Sequence, residues 1–175
     1  MLKIIGIVIT VVIAGVLIFA AAKPDIFRVQ RSAGIKAPPE KVFALINDFK
    51  SWSAWSPWEK KDPAMKRTFG AVTSGKGAQY AWDGNKDVGQ GSMEITESVP
   101  SSKIVLKLDF IKPFEGHNVV EFTLTPQGDT TNVAWVMQGP TPYFAKIFHV
   151  FMDMDSMVGK DFESGLANLK TAAEK

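Results

Sequence analysis

Three hydrophobic patterns follow one another along the chain. The first is unbroken: Ile4 to Ala22 carries no charge between Lys3 and Lys23. About 19 residues at 1.5 Å rise span roughly 28 Å, close to the hydrocarbon thickness of a bilayer, so the run predicts a membrane-spanning helix or a signal peptide. Ala20, Ala21 and Ala22 resemble a small-residue cleavage site. The apolar run is nevertheless longer than a signal core of about 7–15 residues, which favours an uncleaved anchor over residues 1–23.

The second pattern has period two. Phe27 to Arg31 alternates apolar and polar residues, and after an intervening helical stretch six more runs do the same: 66–72, 77–83, 88–99, 103–111, 117–125 and 131–138. Clusters of Gly, Pro, Asn, Asp and Ser separate them, so seven strands in an antiparallel meander are expected. Parity assigns Ile104, Leu106, Leu108 and Phe110 to one face, with Val120, Phe122 and Leu124, Tyr80 and Trp82, Met93 and Ile95, and Val133, Trp135 and Met137. His117 shares parity with Glu121 and belongs to the wet face. Between the first strand and the meander, Pro38-Pro39-Glu40 opens a helix with Val42, Phe43, Leu45, Ile46 and Phe49 on its apolar face. Trp52, Trp55 and Trp58 then follow at steps of three, and suit either a plug at one end of the core or the mouth of a cavity.

The third pattern has helical period and runs from Thr141 to Lys175. Phe144, Ile147, Phe148, Phe151, Met154, Val158, Phe162, Leu166, Leu169 and Ala173 form one stripe, while Lys146, Lys160 and Glu163 lie off it. Thr141 and Pro142 supply a start signal. Asp155 interrupts the stripe among Asp153, Ser156 and Gly159. It reads better as the cap of a second helix, after a kink near residues 152–156, than as a buried catalytic carboxylate. A sheet with one apolar face and a helix with one apolar stripe are complementary, so the helix is expected to lie across the sheet. Both surfaces are bulky and methionine-rich, which leaves room for a pocket between them.

Composition narrows the chemistry. A chain of 175 residues, 46% hydrophobic and 22% charged, suits one globular domain, here residues 24–175, plus the anchor. A net charge of +2 with both signs scattered gives no footprint for nucleic acid. There is no cysteine, and the two histidines, His117 and His149, lie far apart, so no metal and no cofactor is expected. Gly89-Gln90-Gly91 precedes no helix and reads as strand glycine rather than a phosphate loop. Lys23, Arg28, Arg31 and Lys36 outnumber Lys3, which by charge counting places the domain in the cytoplasm. Signal-like export would place it outside, and both sides stay open for a single-pass membrane protein.

Several stretches carry a family resemblance: Ile35 to Phe43, Trp52 to Trp58, Trp82-Asp83-Gly84-Asn85, Gly89 to Met93, and Gly159 to Leu166. In these the chain resembles the SRPBCC superfamily, the helix-grip fold of START lipid-transfer domains and birch-pollen allergens, and within it the polyketide cyclase/dehydrase and lipid transport branch. The resemblance covers about Phe27 to the end. It implies an α+β fold with a seven-stranded curved antiparallel sheet wrapped around a long C-terminal helix, here preceded by one transmembrane helix. It also implies a cavity for a hydrophobic ligand between sheet and helix, and transfers no catalytic set.

The expected cavity residues are Trp52, Trp55 and Trp58 near the entrance, and Tyr80, Trp82, Met93, Leu108, Phe110, Phe122, Trp135 and Met137 on the sheet. Phe148, Met154 and Phe162 are expected from the helix. Polar candidates with inward parity are Asp155, Tyr80 and Asn118. So few polar groups favour a membrane-tethered, monomeric module binding a lipid or other apolar small molecule. A cyclase or dehydratase using an acid or base in the cavity, and a domain that only docks on a protein, are the alternatives.

Overall fold

In the computed structural model, which describes residues 1–175 except for the Leu2 side chain, the uncharged run forms helix α1 (Leu2–Ala21). It is long and apolar enough to cross a membrane from Lys3 to Ala21, and with 6% of that span buried it is not covered by the rest of the chain. The first strand, β1 (Ile26–Ile35), leads into α2 (Pro39–Asn47), a 3₁₀ turn (Phe49–Ala54) and α3 (Pro57–Lys61). Six strands follow: β2 (Lys66–Phe69), β3 (Gln79–Asp83), β4 (Gln90–Val99), β5 (Lys103–Lys112), β6 (Gly116–Gln127) and β7 (Thr130–Pro140). They form one seven-stranded antiparallel sheet in the order β1-β7-β6-β5-β4-β3-β2. β2 stops at Phe69, short of the expected Val72, because the chain bends at Ala71, although the Gly70 amide and the Val72 carbonyl both still hydrogen-bond to Gln79.

Cross-strand register brings the predicted apolar set onto one face. Phe122 stands opposite both Ile104 and Trp135, and Val120 opposite both Leu106 and Met137, all of them buried. Across this face lies α5 (Met154–Ala173), whose Phe162, Leu166 and Leu169 are buried. Phe162 stacks on Trp135 with ring centroids 4.0 Å apart. At Gly165 a Cβ would press into the Trp135 ring, so the missing side chain is what lets the helix approach the sheet so closely. This is the expected helix-grip arrangement.

The stripe does not stay in phase from end to end. Met152 and Asp153 are extended, ending α4 (Tyr143–Phe151) and starting α5, so the break falls within the expected region. The cap is Asp153, whose carboxylate accepts from the Asp155 amide at 3.1 Å and the Ser156 hydroxyl at 2.5 Å. Asp155 instead lies in the first turn on the outer surface, where both its oxygens accept from the Arg31 guanidinium at 2.9 Å. That contact, with desolvation opposing it, lowers its pKa. Asp155 is therefore neither the cap nor a group in the cavity. Thr141 caps nothing: α4 begins after Pro142 with no side-chain cap, and the Thr141 hydroxyl is buried without a partner among the described residues.

Two extended residues also turn α4 away from α5's direction, and its faces are reversed from expectation. Lys146 is buried and reaches Asp25 Oδ1 at 2.6 Å, while Phe144, Phe148 and Phe151 face outward. Asp153→Ala is expected to lower the melting temperature of the full chain more than Asp155→Asn does, because only the first leaves helical amides without an acceptor. Differential scanning calorimetry of the two variants checks the order; the reverse order would return the capping role to Asp155.

Candidate functional site

A cavity of about 330 Å³ opens between the sheet and α5. Tyr80, Trp82, Met93, Leu108, Phe110, Trp135 and Met137 form its sheet wall, Val158 and Phe162 its helix wall, and Trp52 and Trp58 close it from the connection after β1. Its exposed rim is Lys86 and Asp87 in the β3–β4 loop with Lys112 at the end of β5 and Pro113 just after it. Register places that rim. Asp83 pairs with Gln90, Gln90 with Lys112, Phe110 with Gly116, and Pro140 with Ile26. The mouth and the start of β1, where α1 joins the domain, thus share one end of the sheet.

Local chemistry holds the rim in shape. The Asp62 carboxylate accepts from the amides of Asn85 at 2.8 Å and Ala64 at 3.1 Å, and the Trp82 indole donates to the Val88 carbonyl at 3.0 Å. Gly89 has φ +64°, and a Cβ there would collide with the Lys112 carbonyl, so this turn requires glycine. Gly91 is equally constrained, since the Trp82 ring lies where its side chain would be.

Four expected cavity residues lie elsewhere. Trp55 and Phe122 are fully buried but do not line this cavity: their rings pack edge to face at 6.1 Å, and Phe122 also packs on Trp135 at 4.9 Å. Phe148 stands outside on α4, and Met154 begins α5 beyond the cavity, both displaced by the helix break. Two of the three tryptophans, Trp52 and Trp55, are buried rather than at the rim. The Trp52 and Trp55 indoles donate to the carbonyls of Ile46 at 2.8 Å and Leu45 at 3.0 Å, satisfying the last turn of α2, and of the three only Trp58 is partly exposed.

Ser56, Glu59 and Asp161 are polar wall residues that the sequence did not point to, and Glu59 is the one tied to Tyr80. Glu59, on α3, accepts the Tyr80 hydroxyl at 2.8 Å and the Arg67 guanidinium at 2.7 Å, with its own side chain 8% exposed. Burial first, and then Glu59, push the Tyr80 phenol well above its usual pKa, so it stays a protonated donor. Glu59 directly follows the wall residue Trp58, but its link to Arg67 and Tyr80 exists only in the folded chain. Asn118 is buried against Gly139 outside the cavity. Trp135 Nε1 is buried without an acceptor among the described residues. His117 is exposed on the wet face, where its Nδ1 meets Asp109 at 2.7 Å; this contact raises its pKa.

A family profile described as polyketide cyclase / dehydrase and lipid transport matches residues 27–174. The chain belongs to this family. Solved structures of similar fold include protein CV1439 from Chromobacterium violaceum, 17% identical with a TM-score of 0.60, covering 87% of this chain and 99% of that one. The Aha1 dimer from Colwellia psychrerythraea is 18% identical with a TM-score of 0.61 over 85% and 96% of the two chains. Ara h 8.0201 is 11% identical with a TM-score of 0.54 over 85% and 95%. Identities this low show the shared fold alone. A search of curated proteins gives no match. For a member of the polyketide cyclase / dehydrase and lipid transport family, the added feature here is α1, which precedes the matched region.

Proposed function

We propose that the protein is a membrane-tethered module whose domain, residues 24–175, binds one apolar small molecule or one chain of a lipid. The observation that carries this reading is the apolar cavity of about 330 Å³, open at the end of the sheet where α1 joins. Its volume is at the lower end of the range for small-molecule sites, roughly 300–1,000 Å³, and suits a slim ligand rather than a whole two-chain lipid. Family membership supports a hydrophobic ligand.

A cyclase or dehydratase would need a free acid or base against the substrate. Glu59, Tyr80 and Asp161 are the wall groups placed for it, but Glu59 is held by Arg67 and Tyr80, Tyr80 is held as a donor to Glu59, and both Asp161 oxygens accept from Lys61 at 2.7 Å. Binding without chemistry therefore fits the wall better. A domain that only docks on proteins has no use for the cavity.

Native mass spectrometry of the full chain released from its own membrane tests the proposal. The expected spectrum contains the chain with one retained apolar molecule, which solvent extraction then identifies. Bare chain alone, with no uptake of an added fluorescent fatty acid, would overturn it.

A further inference from the structure

The outer face of α4 is aromatic and uncovered. Phe144, Phe148 and Phe151 fall at i, i+4 and i+7 and are 63%, 44% and 73% exposed. Phe144 and Phe148 touch at 4.9 Å between ring centroids, and Phe114, 69% exposed, joins them 6.2 Å from Phe148. Single exposed apolar residues need no explanation, whereas a contiguous aromatic patch marks a contact surface. The inner face of α4 is pinned, so the patch cannot simply roll inward. Lys146 pairs with Asp25, the Thr141 amide donates to the Asp25 carbonyl at 2.7 Å, and the Tyr143 hydroxyl donates to the Leu17 carbonyl at 2.9 Å.

The Tyr143 contact decides the occupant. Leu17 lies inside the uncharged run, four residues before the end of α1, or about 6 Å along the axis. Packed helices stand roughly 8–10 Å apart, so lipid that surrounds α1 at Leu17 also meets the first turn of α4. A short amphipathic helix in that position lies in the interfacial layer with its apolar face toward the acyl chains. Tyr143 sits at the level where an amphipathic ring is favoured. Phe114 also directly follows the rim residue Pro113, so patch and cavity mouth share one turn.

We propose that the outer face of α4, with Phe114, is a second membrane contact that seats the cavity mouth on the bilayer crossed by α1. An apolar ligand then passes between cavity and lipid without crossing water. The inference rests on the reading of α1 as a membrane span.

The absence of cysteine allows single-site labelling of the full chain. Phe148→Cys on the patch, Val12→Cys within α1 and Lys76→Cys at the far end of the sheet each carry an environment-sensitive dye. The chains are reconstituted in phosphatidylcholine and phosphatidylglycerol vesicles with spin-labelled quenchers placed near the headgroup or deep in the acyl chain. Position 12 is expected to be quenched most by the deep label, position 148 by the shallow label, and position 76 by neither. Quenching at 12 with none at 148 would overturn the seating and leave the span intact; no quenching at 12 would overturn both. Lipid-independent self-quenching at 148 would assign the patch to a second copy of the chain and overturn the inference. With the dye at Phe114, the double variant Phe144→Asp and Phe151→Asp is expected to reduce shallow quenching to the level of position 76, with unchanged melting temperature. Persistent quenching there would overturn the role of the α4 face.

Discussion

Leu108→Trp is expected to abolish ligand uptake while leaving the fold intact. Leu108 sits on β5 opposite Met93, is 8% exposed and lines the cavity wall. Enlarging a residue in a filled core forces strain of typically about 1–3 kcal/mol, but here the larger ring has an existing void to enter. The apolar surface it buries contributes roughly 25 cal/mol per Å², so stability holds or rises. Affinity for a fluorescent fatty acid is expected to fall at least tenfold, about 1.4 kcal/mol, and the retained molecule to vanish from the native mass spectrum. Undiminished binding with an unchanged melting temperature would move the ligand out of this cavity.

Phe122→Ala and Trp55→Ala are expected to give the largest losses of stability in the chain, about 3–5 kcal/mol each. Both side chains are fully buried against other rings and do not line the cavity, so truncation leaves a new hole; Trp55→Ala also strips a donor from the Leu45 carbonyl. At roughly 2–4 °C per kcal/mol for a domain of this size, the melting temperature falls on the order of 10 °C. Met137→Ala is expected to lose less, because its side chain already faces open space. Phe148→Ala, already 44% exposed, should stay within about 0.5 kcal/mol. Urea unfolding of the four variants in nanodiscs gives the ranking. Equal losses at 122 and 137 would mean that the void collapses in solution.

The same contrast shows what sequence reasoning could reach at the site. Ten of the expected residues line the cavity: Tyr80, Trp82, Met93, Leu108, Phe110, Trp135 and Met137 through strand parity, Phe162 through the helical stripe, and Trp52 and Trp58 where they close the space. Parity says which face a side chain joins, and does not say whether that face is filled. Trp55 and Phe122 share the inward direction and are simply where the packing has closed. Glu59 was invisible because neither period nor motif links it to Tyr80, 21 positions later.

By itself the sequence determined everything that depends on a local repeat. The uncharged run of α1, the alternation in the strands and the α5 stripe all follow from steric and hydrophobic rules acting over a few residues. Tertiary structure alone decided where two extended residues would send α4. A stripe extrapolated through Met152 and Asp153 assumes continuous helical phase, and that assumption failed at a single turn. Docking of Tyr143 on Leu17 and of Lys146 on Asp25 then put Phe144, Phe148 and Phe151 outside. Those contacts join residues more than a hundred positions apart, and no local pattern encodes them, because their geometry is set by how the finished sheet brings β1 beside β7.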